Sequence, residues 1–203
     1  MKHPDSIVPE NVKGAKTDTI STESFSSVEL AKKHYTVVRK RLLSVFKWHE
    51  YAGIASAEFS LTDGAGHEKA DLVSEGDRFK INIPAPGTDS GSGFDWVQVE
   101  KVEEGHNEED DWEYTLIKVR PTDNPGTSDN NTAHFFSDEA NSYFMVKRIG
   151  LAVSAEVHGR NEQPNTDTDK IVDKIRNTIV AVGAILGVSK AQWKSLTNGI
   201  VKI

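Results

Sequence analysis

Between Asp167 and Leu186 the chain reads Asp-Thr-Asp-Lys-Ile-Val-Asp-Lys-Ile-Arg-Asn-Thr-Ile-Val-Ala-Val-Gly-Ala-Ile-Leu. Ile171, Ile175, Ile179, Val182 and Leu186 recur at three- and four-residue steps, which places them on one face of a helix. Thr166 and Asp169 stand at the spacing that satisfies orphan backbone donors at a helix start, and Gly187 supplies a stop. Val172, Ala181 and Ile185 widen the apolar stripe beyond what packing on one neighbour requires. Gly183 costs ~1 kcal/mol of helix stability relative to Ala, so the expectation is that a sheet residue or a ligand approaches closely there. The reading is a long C-terminal helix laid against a sheet.

Upstream of this helix the apolar period is two. Ala55, Ala57, Phe59 and Leu61 alternate with polar residues, as do Phe79, Ile81 and Ile83, and both runs read as strands, the first half-buried. Phe94 to Val102 and Trp112 to Val119 read as two strands joined across the acidic run of Glu103-Glu104 and Glu108-Glu109-Asp110-Asp111, which is expected to be a solvated loop. Ser142 to Lys147 and the alternation of Leu151, Val153, Ala155 and Val157 predict a further hairpin, with Arg148-Ile149-Gly150 as its turn. Thr17 to Phe25 gives a weaker strand signal suited to a sheet edge. Residues 1–16 lack periodicity and read as a flexible N-terminal tail, leaving 17–203 as one domain.

One helix interrupts the first strands. Ser26 and Glu29 stand at capping-box spacing, and Ala31, Tyr35, Val38, Leu42, Val45 and Phe46 form a buried stripe opposite Lys32, Lys33, Arg39, Lys40 and Lys47. The pattern continues without a clear break to Tyr51, and Gly53 supplies the stop. A short helix from Ser189 to about Ile200, with Trp193, Leu196 and Ile200 on one side, ends the chain.

Composition narrows the function classes. Lys and Arg number 24 against 31 Asp and Glu, a net charge of -7 that repels phosphate backbones, so nucleic acid is not an expected partner. There is no cysteine, which excludes disulfides, thiolate metal sites and cysteine nucleophiles and suits a reducing, cytoplasmic setting. No apolar run is long enough for a membrane span.

No catalytic motif emerges. The seven histidines include no pair at H-x-x-x-H spacing, no G-x-S-x-G elbow occurs, and the Gly87 to Gly93 loop lacks a phosphate-binding ending, so neither a metal nor a cofactor is expected. The aromatic residues are more suggestive. Tyr35, Trp48, Phe59, Trp96, Tyr114, Phe136 and Tyr143 fall on elements expected to share one interior, and with His158, Ile179 and Gly183 they form the candidate ligand-lining set.

Element order and three segments carry a family resemblance. Phe46-Lys47-Trp48-His49-Glu50-Tyr51 resembles the aromatic helix end before the second strand of bacterial START/Bet v 1-like (SRPBCC) proteins. Gly76-Asp77-Arg78-Phe79 is similar to their Gly-Asp step into a strand, and Thr166 to Gly187 occupies the place of the gripping helix. The resemblance spans about Thr17 to Leu186. It implies an α+β helix-grip fold, in which a curved antiparallel sheet of about six to seven strands wraps around the C-terminal helix. It also implies a cavity for an apolar or amphipathic small molecule, lipid-like or polyketide-like, and it carries over no catalytic residue. Two alternatives on the same fold stay open. One is an aromatase/cyclase-type enzyme using groups such as Arg120, His134, Glu156 and His158; the other is a co-chaperone-like interaction protein. Oligomeric state is not legible.

Overall fold

The computed structural model describes residues 2–53, 58–82, 95–125, 139–163 and 190–203. Within them, β1 (Ala15–Ser24), β2 (Glu58–Thr62), β3 (Arg78–Asn82), β4 (Asp95–Asn107), β5 (Trp112–Pro121), β6 (Asn141–Ile149) and β7 (Ala152–Glu162) build one curved, unclosed sheet. The order is β1-β7-β6-β5-β4-β3-β2 with every neighbour antiparallel, so the two strands flanking the first helix are the two sheet edges. That order, with helices on the concave face, is the α+β helix-grip arrangement expected from the sequence. The helix read at Asp167–Leu186 lies outside the described residues.

The helix α1 (Val28–Leu43) is capped by Ser27, whose Oγ accepts from the Leu30 amide at 3.3 Å, one residue later than the Ser26 spacing suggested. Its buried side is Ala31, Tyr35, Val38, Leu42 and Leu43, and it lies across β6 and β7. The expected single helix is broken. Ser44 leaves helical geometry (φ -91°, ψ 62°), a 3-10 turn spans Val45–Lys47, and α2 (Trp48–Ala52) follows until Gly53 at φ 87°. The break is silent in sequence because Leu42, Val45 and Phe46 keep the helical apolar spacing across it. Residues 190–201 form α3, which buries Leu196 and Ile200 as expected.

Two strand readings need correction. Glu103 and Glu104 belong to β4, so the loop of the β4–β5 hairpin is confined to Glu108–Asp111, the latter at φ 51°. Arg148 and Ile149 belong to β6 and the turn is Gly150-Leu151. Arg148 is buried because its guanidinium meets Asp111 at 2.9 Å and Glu113 at 2.6 Å and donates to the Gly150 carbonyl at 3.0 Å. A charged residue there reads as a turn only if its partners across the sheet are unknown.

Period-two alternation sends two sets of side chains to opposite faces. On the concave face Phe59, Leu61, Phe79, Ile81, Val99, Ile117, Val119, Phe144, Val146 and Val157 join α1, α2 and α3 in one apolar cluster. On the convex face Trp112, Tyr114, Leu116, Tyr143 and Met145 form a second cluster, covered by Ile7 and Val8 of the N-terminal segment. That segment, read as a tail, has its 3-10 turn at Pro4–Ser6 and sets the His3 ring edge-on to Trp112 at 5.8 Å.

Candidate functional site

The concave interior is organised around Trp48. It is fully buried, and its Nε1 donates to the carbonyls of Leu42 at 2.9 Å and Arg41 at 3.2 Å at the end of α1, where the Arg41 carbonyl also accepts from the Ser44 amide at 3.3 Å. The ring lies 5.2 Å from Phe59, 5.7 Å from Phe79 and 4.8 Å from Phe144, separations at which aromatic pairs attract. Trp193 of α3 extends the set, 5.5 Å from Phe144 and 6.1 Å from Phe59. Nearby, Tyr35 and Thr115 share a hydrogen bond of 2.8 Å between hydroxyls. Burial pushes the Tyr35 phenol well above its ordinary range, and the carboxylates of Glu113 and Glu104 add to that against the Thr115 hydrogen bond.

This interior reaches the surface beside α2. Residues 63–77 fold back from β2: Asp63 accepts from the amides of Ala65 at 2.9 Å and His67 at 3.0 Å, and the Val73 amide donates to the Leu43 carbonyl at 2.9 Å. The returning segment therefore stands opposite the end of α1. Between them runs a groove of about 570 Å³ lined by Val37, Lys40, Arg41, Phe46, Tyr51 and Leu72 among others. A second groove of about 320 Å³ shares Phe46 and Ala70 with it, and Phe59 and Leu61 of the inner sheet face form part of its wall. Volumes of this size suit small molecules.

The aromatic residues expected in one interior are split by the sheet. Tyr35, Trp48 and Phe59 lie together on the concave side. Tyr114, Tyr143 and His158 stand one residue out of step with the inward Thr115, Phe144 and Val157, and Trp96 pairs with Lys80 rather than with the inward Phe79, so all four face outward. Phe136, Ile179 and Gly183, with His134 of the enzyme alternative, lie outside the described residues. The split arises because the convex face is itself covered, so large apolar residues serve both faces and composition alone does not separate them.

His158 and Glu156 belong to a chain of charges on that convex face. His158 Nδ1 lies 2.6 Å from Asp18 and Nε2 lies 2.9 Å from Glu156, while Lys147 meets Glu156 at 3.0 Å and Asp5 at 2.7 Å. Arg160 joins Asp18 at 2.8 Å and donates to the Pro9 carbonyl at 2.9 Å. Burial pushes the Asp18 and Glu156 carboxyls up, but hydrogen bonds from His158, with Arg160 at Asp18 and with Lys147 and Ser154 at Glu156, outweigh it and hold both below their ordinary values. The arrangement anchors the N-terminal segment at Asp5 and Pro9. Arg120, named with these groups in the enzyme alternative, is instead paired with Glu100 at 2.8 Å.

Sequence reasoning passed over Asp18, Lys147 and Arg160 because their partners are remote in the chain. It also placed Lys40 and Lys47 only on the basic face opposite the buried stripe, although the aromatic run beginning at Phe46 beside them was a usable signal. No group of three or more His, Asp or Glu side chains among the described residues is placed to hold a metal ion. Among the same residues no helix is long and apolar enough to cross a membrane.

No family model matches the chain, and no curated protein matches it. Solved structures do. A hypothetical protein from Helicobacter pylori is 12% identical, with 97% of this chain and 94% of that chain covered and a TM-score of 0.49. Truncated norcoclaurine synthase from Thalictrum flavum is 9% identical over 96% of this chain and 99% of that one, with a TM-score of 0.38. Ginseng major latex-like protein 151 from Panax ginseng is 11% identical over 87% and 99%, with a TM-score of 0.32. All three TM-scores fall below 0.5, so these likenesses carry no functional weight, and the helix-grip assignment rests on this chain's own strand order and helix placement.

Proposed function

We propose that this protein binds an apolar or amphipathic small molecule between its curved sheet and its helices. The observation that carries the reading is the groove of about 320 Å³ beside α2, which brings Phe59 and Leu61 of the inner sheet face to a surface opening. Its neighbour of about 570 Å³ shares Phe46 and Ala70 with it and adds Val37, Tyr51 and Leu72 to the apolar wall. Burial of apolar ligand surface there contributes about 25 cal/mol per Å² removed from water. The cysteine-free sequence supports a cytoplasmic setting for this binding.

Native mass spectrometry of the purified protein and thermal melting across a panel of lipids and aromatic polyketides test the reading. A compound found retained, or an added one that raises the melting temperature with the logarithmic concentration dependence of specific binding, supports it. Ala70→Trp places a large side chain at the junction of both grooves from an exposed position, and it is expected to abolish that rise while the unliganded protein melts as before. Absence of stabilisation by every panel member would overturn the proposal.

A further inference from the structure

The groove along α1 has a charge that its protein does not. The chain carries a net charge of -7, yet the groove is lined by Lys40, Arg41 and Lys47 against a single acid, Asp71. Part of this follows from helix electrostatics, since cations at a helix C-terminus complement the negative end of its dipole. Arg41 is further accounted for: its Nη1 donates to the carbonyls of Ile200 at 3.0 Å and Lys202 at 2.5 Å, and its guanidinium lies 5.6 Å from the centre of the Tyr51 ring.

Lys40 and Lys47 are different, because neither has a carboxylate partner among the described residues. Lys40 is exposed, and Lys47 holds its ammonium 5.7 Å from the Phe46 ring centre. Two of the chain's exposed large apolar side chains, Val37 and Leu72, flank the same groove. Exposed apolar side chains scattered singly are ordinary, but two that line one groove with aromatic rings and with lysines lacking a carboxylate partner among the described residues make an amphipathic trough. Its apolar end joins the opening onto Phe59 and Leu61 at Phe46 and Ala70.

We infer that this groove takes a single-chain amphiphile with an anionic head, a carboxylate or a phosphate monoester, its head on Lys40 and Lys47 and its chain running past Phe46 toward Phe59. The assignment rests on the proposed binding function and specifies the ligand class for it. Arg41 contributes positive charge without moving, because its carbonyl contacts fix it. An ammonium desolvated between a ring and an apolar chain gains more from an anion than a fully hydrated one does, which gives the head group its discrimination.

The test is isothermal titration of the full chain with dodecanoate, dodecyl phosphate and dodecanol below their aggregation limits, repeated with a Lys40→Glu/Lys47→Glu double variant. The expected result is that both anions bind about tenfold or more tightly than dodecanol, that the preference shrinks as salt screens it, and that the variant loses the preference. Equal affinity for all three in the wild-type protein would overturn the head-group assignment and leave the binding function standing. A preference that survives the double charge reversal would place the head elsewhere and also overturn it. No heat from any of the three, with no stabilisation in the wider ligand panel, would remove both. Binding only to phosphatidylglycerol vesicles and not to monomeric amphiphile would make the groove a membrane contact and overturn the inference as well.

Discussion

Gly199 of α3 passes so close to Tyr51 of α2 that a Cβ on the glycine would stand 1.8 Å from the Tyr51 carbonyl oxygen. The obstacle is backbone, so no rotamer relieves it. Gly199→Ala therefore forces α3 away from α2 and with it the contacts of Leu196, Ile200 and Trp193. A loss of about 3 kcal/mol, the upper part of the range for overpacking, is expected in urea denaturation. A neutral or stabilising effect, as an ordinary helix Gly→Ala change would give, would show that the two helices are not in this contact.

Tyr35 gives a test of the concave interior. Tyr35→Phe removes one hydroxyl of the 2.8 Å pair with Thr115, whose Oγ1 keeps Glu104 at 3.4 Å, so the expected cost is about 1 kcal/mol. The same burial that raises the phenol's pKa makes its contribution pH-dependent. It is complete below the ordinary tyrosine value of ~10 and is lost as pH rises toward the raised value. Wild-type stability should thus fall more steeply above that pH than the stability of Tyr35→Phe, measured by urea titration across alkaline pH.

Local periodicity made the strands readable, and the limits of that reading follow from the same period. Phe59 and Leu61 of β2, Phe79 and Ile81 of β3, and Val153, Ala155 and Val157 of β7 are buried as alternation picked out, whereas Leu151 stands exposed in the turn before β7, and β1 proved to be an edge strand as its Thr- and Ser-rich sequence suggested. What period two does not supply is which face a large aromatic residue serves when both faces are covered. Tyr114 and Phe144 are equally buried and lie on opposite sides of the sheet. The pairing of Lys147 with Asp5 was illegible because the partner lies far along the chain, and the break at Ser44 because the helical apolar spacing runs straight across it.

Trp96 turns that lesson into an experiment. Register places it on the convex side, opposite Lys80, and it is buried there. Trp96→Ala is expected to cost ~3–5 kcal/mol of global stability, as for other large buried aromatics. Ligand affinity, measured where the variant is still folded, should be unchanged. Lost affinity with intact stability would return Trp96 to the binding interior.

The charge chain beneath the N-terminal segment sets the response to acid. Asp18 and Glu156 both have carboxyls held below their ordinary values, so the stability they contribute is present above the unfolded carboxylate value of ~4 and is lost as pH falls through the lowered values. Losing the Glu156 charge takes one carboxylate from Lys147, which holds Asp5, and losing the Asp18 charge takes the carboxylate from Arg160, which holds the Pro9 carbonyl and also donates to the carbonyls of Thr17 and Gly159. The N-terminal segment should therefore loosen before the sheet unfolds. Hydrogen exchange at residues 3–9, compared between neutral pH and about pH 3, would show it as selective loss of protection. Lys147→Met is expected to produce the same loosening at neutral pH and to cost ~3 kcal/mol, because it leaves the buried Glu156 short of its cation. Protection that persists at residues 3–9 in both conditions would mean that apolar packing of Ile7 and Val8, rather than the charges, holds the segment on the convex face.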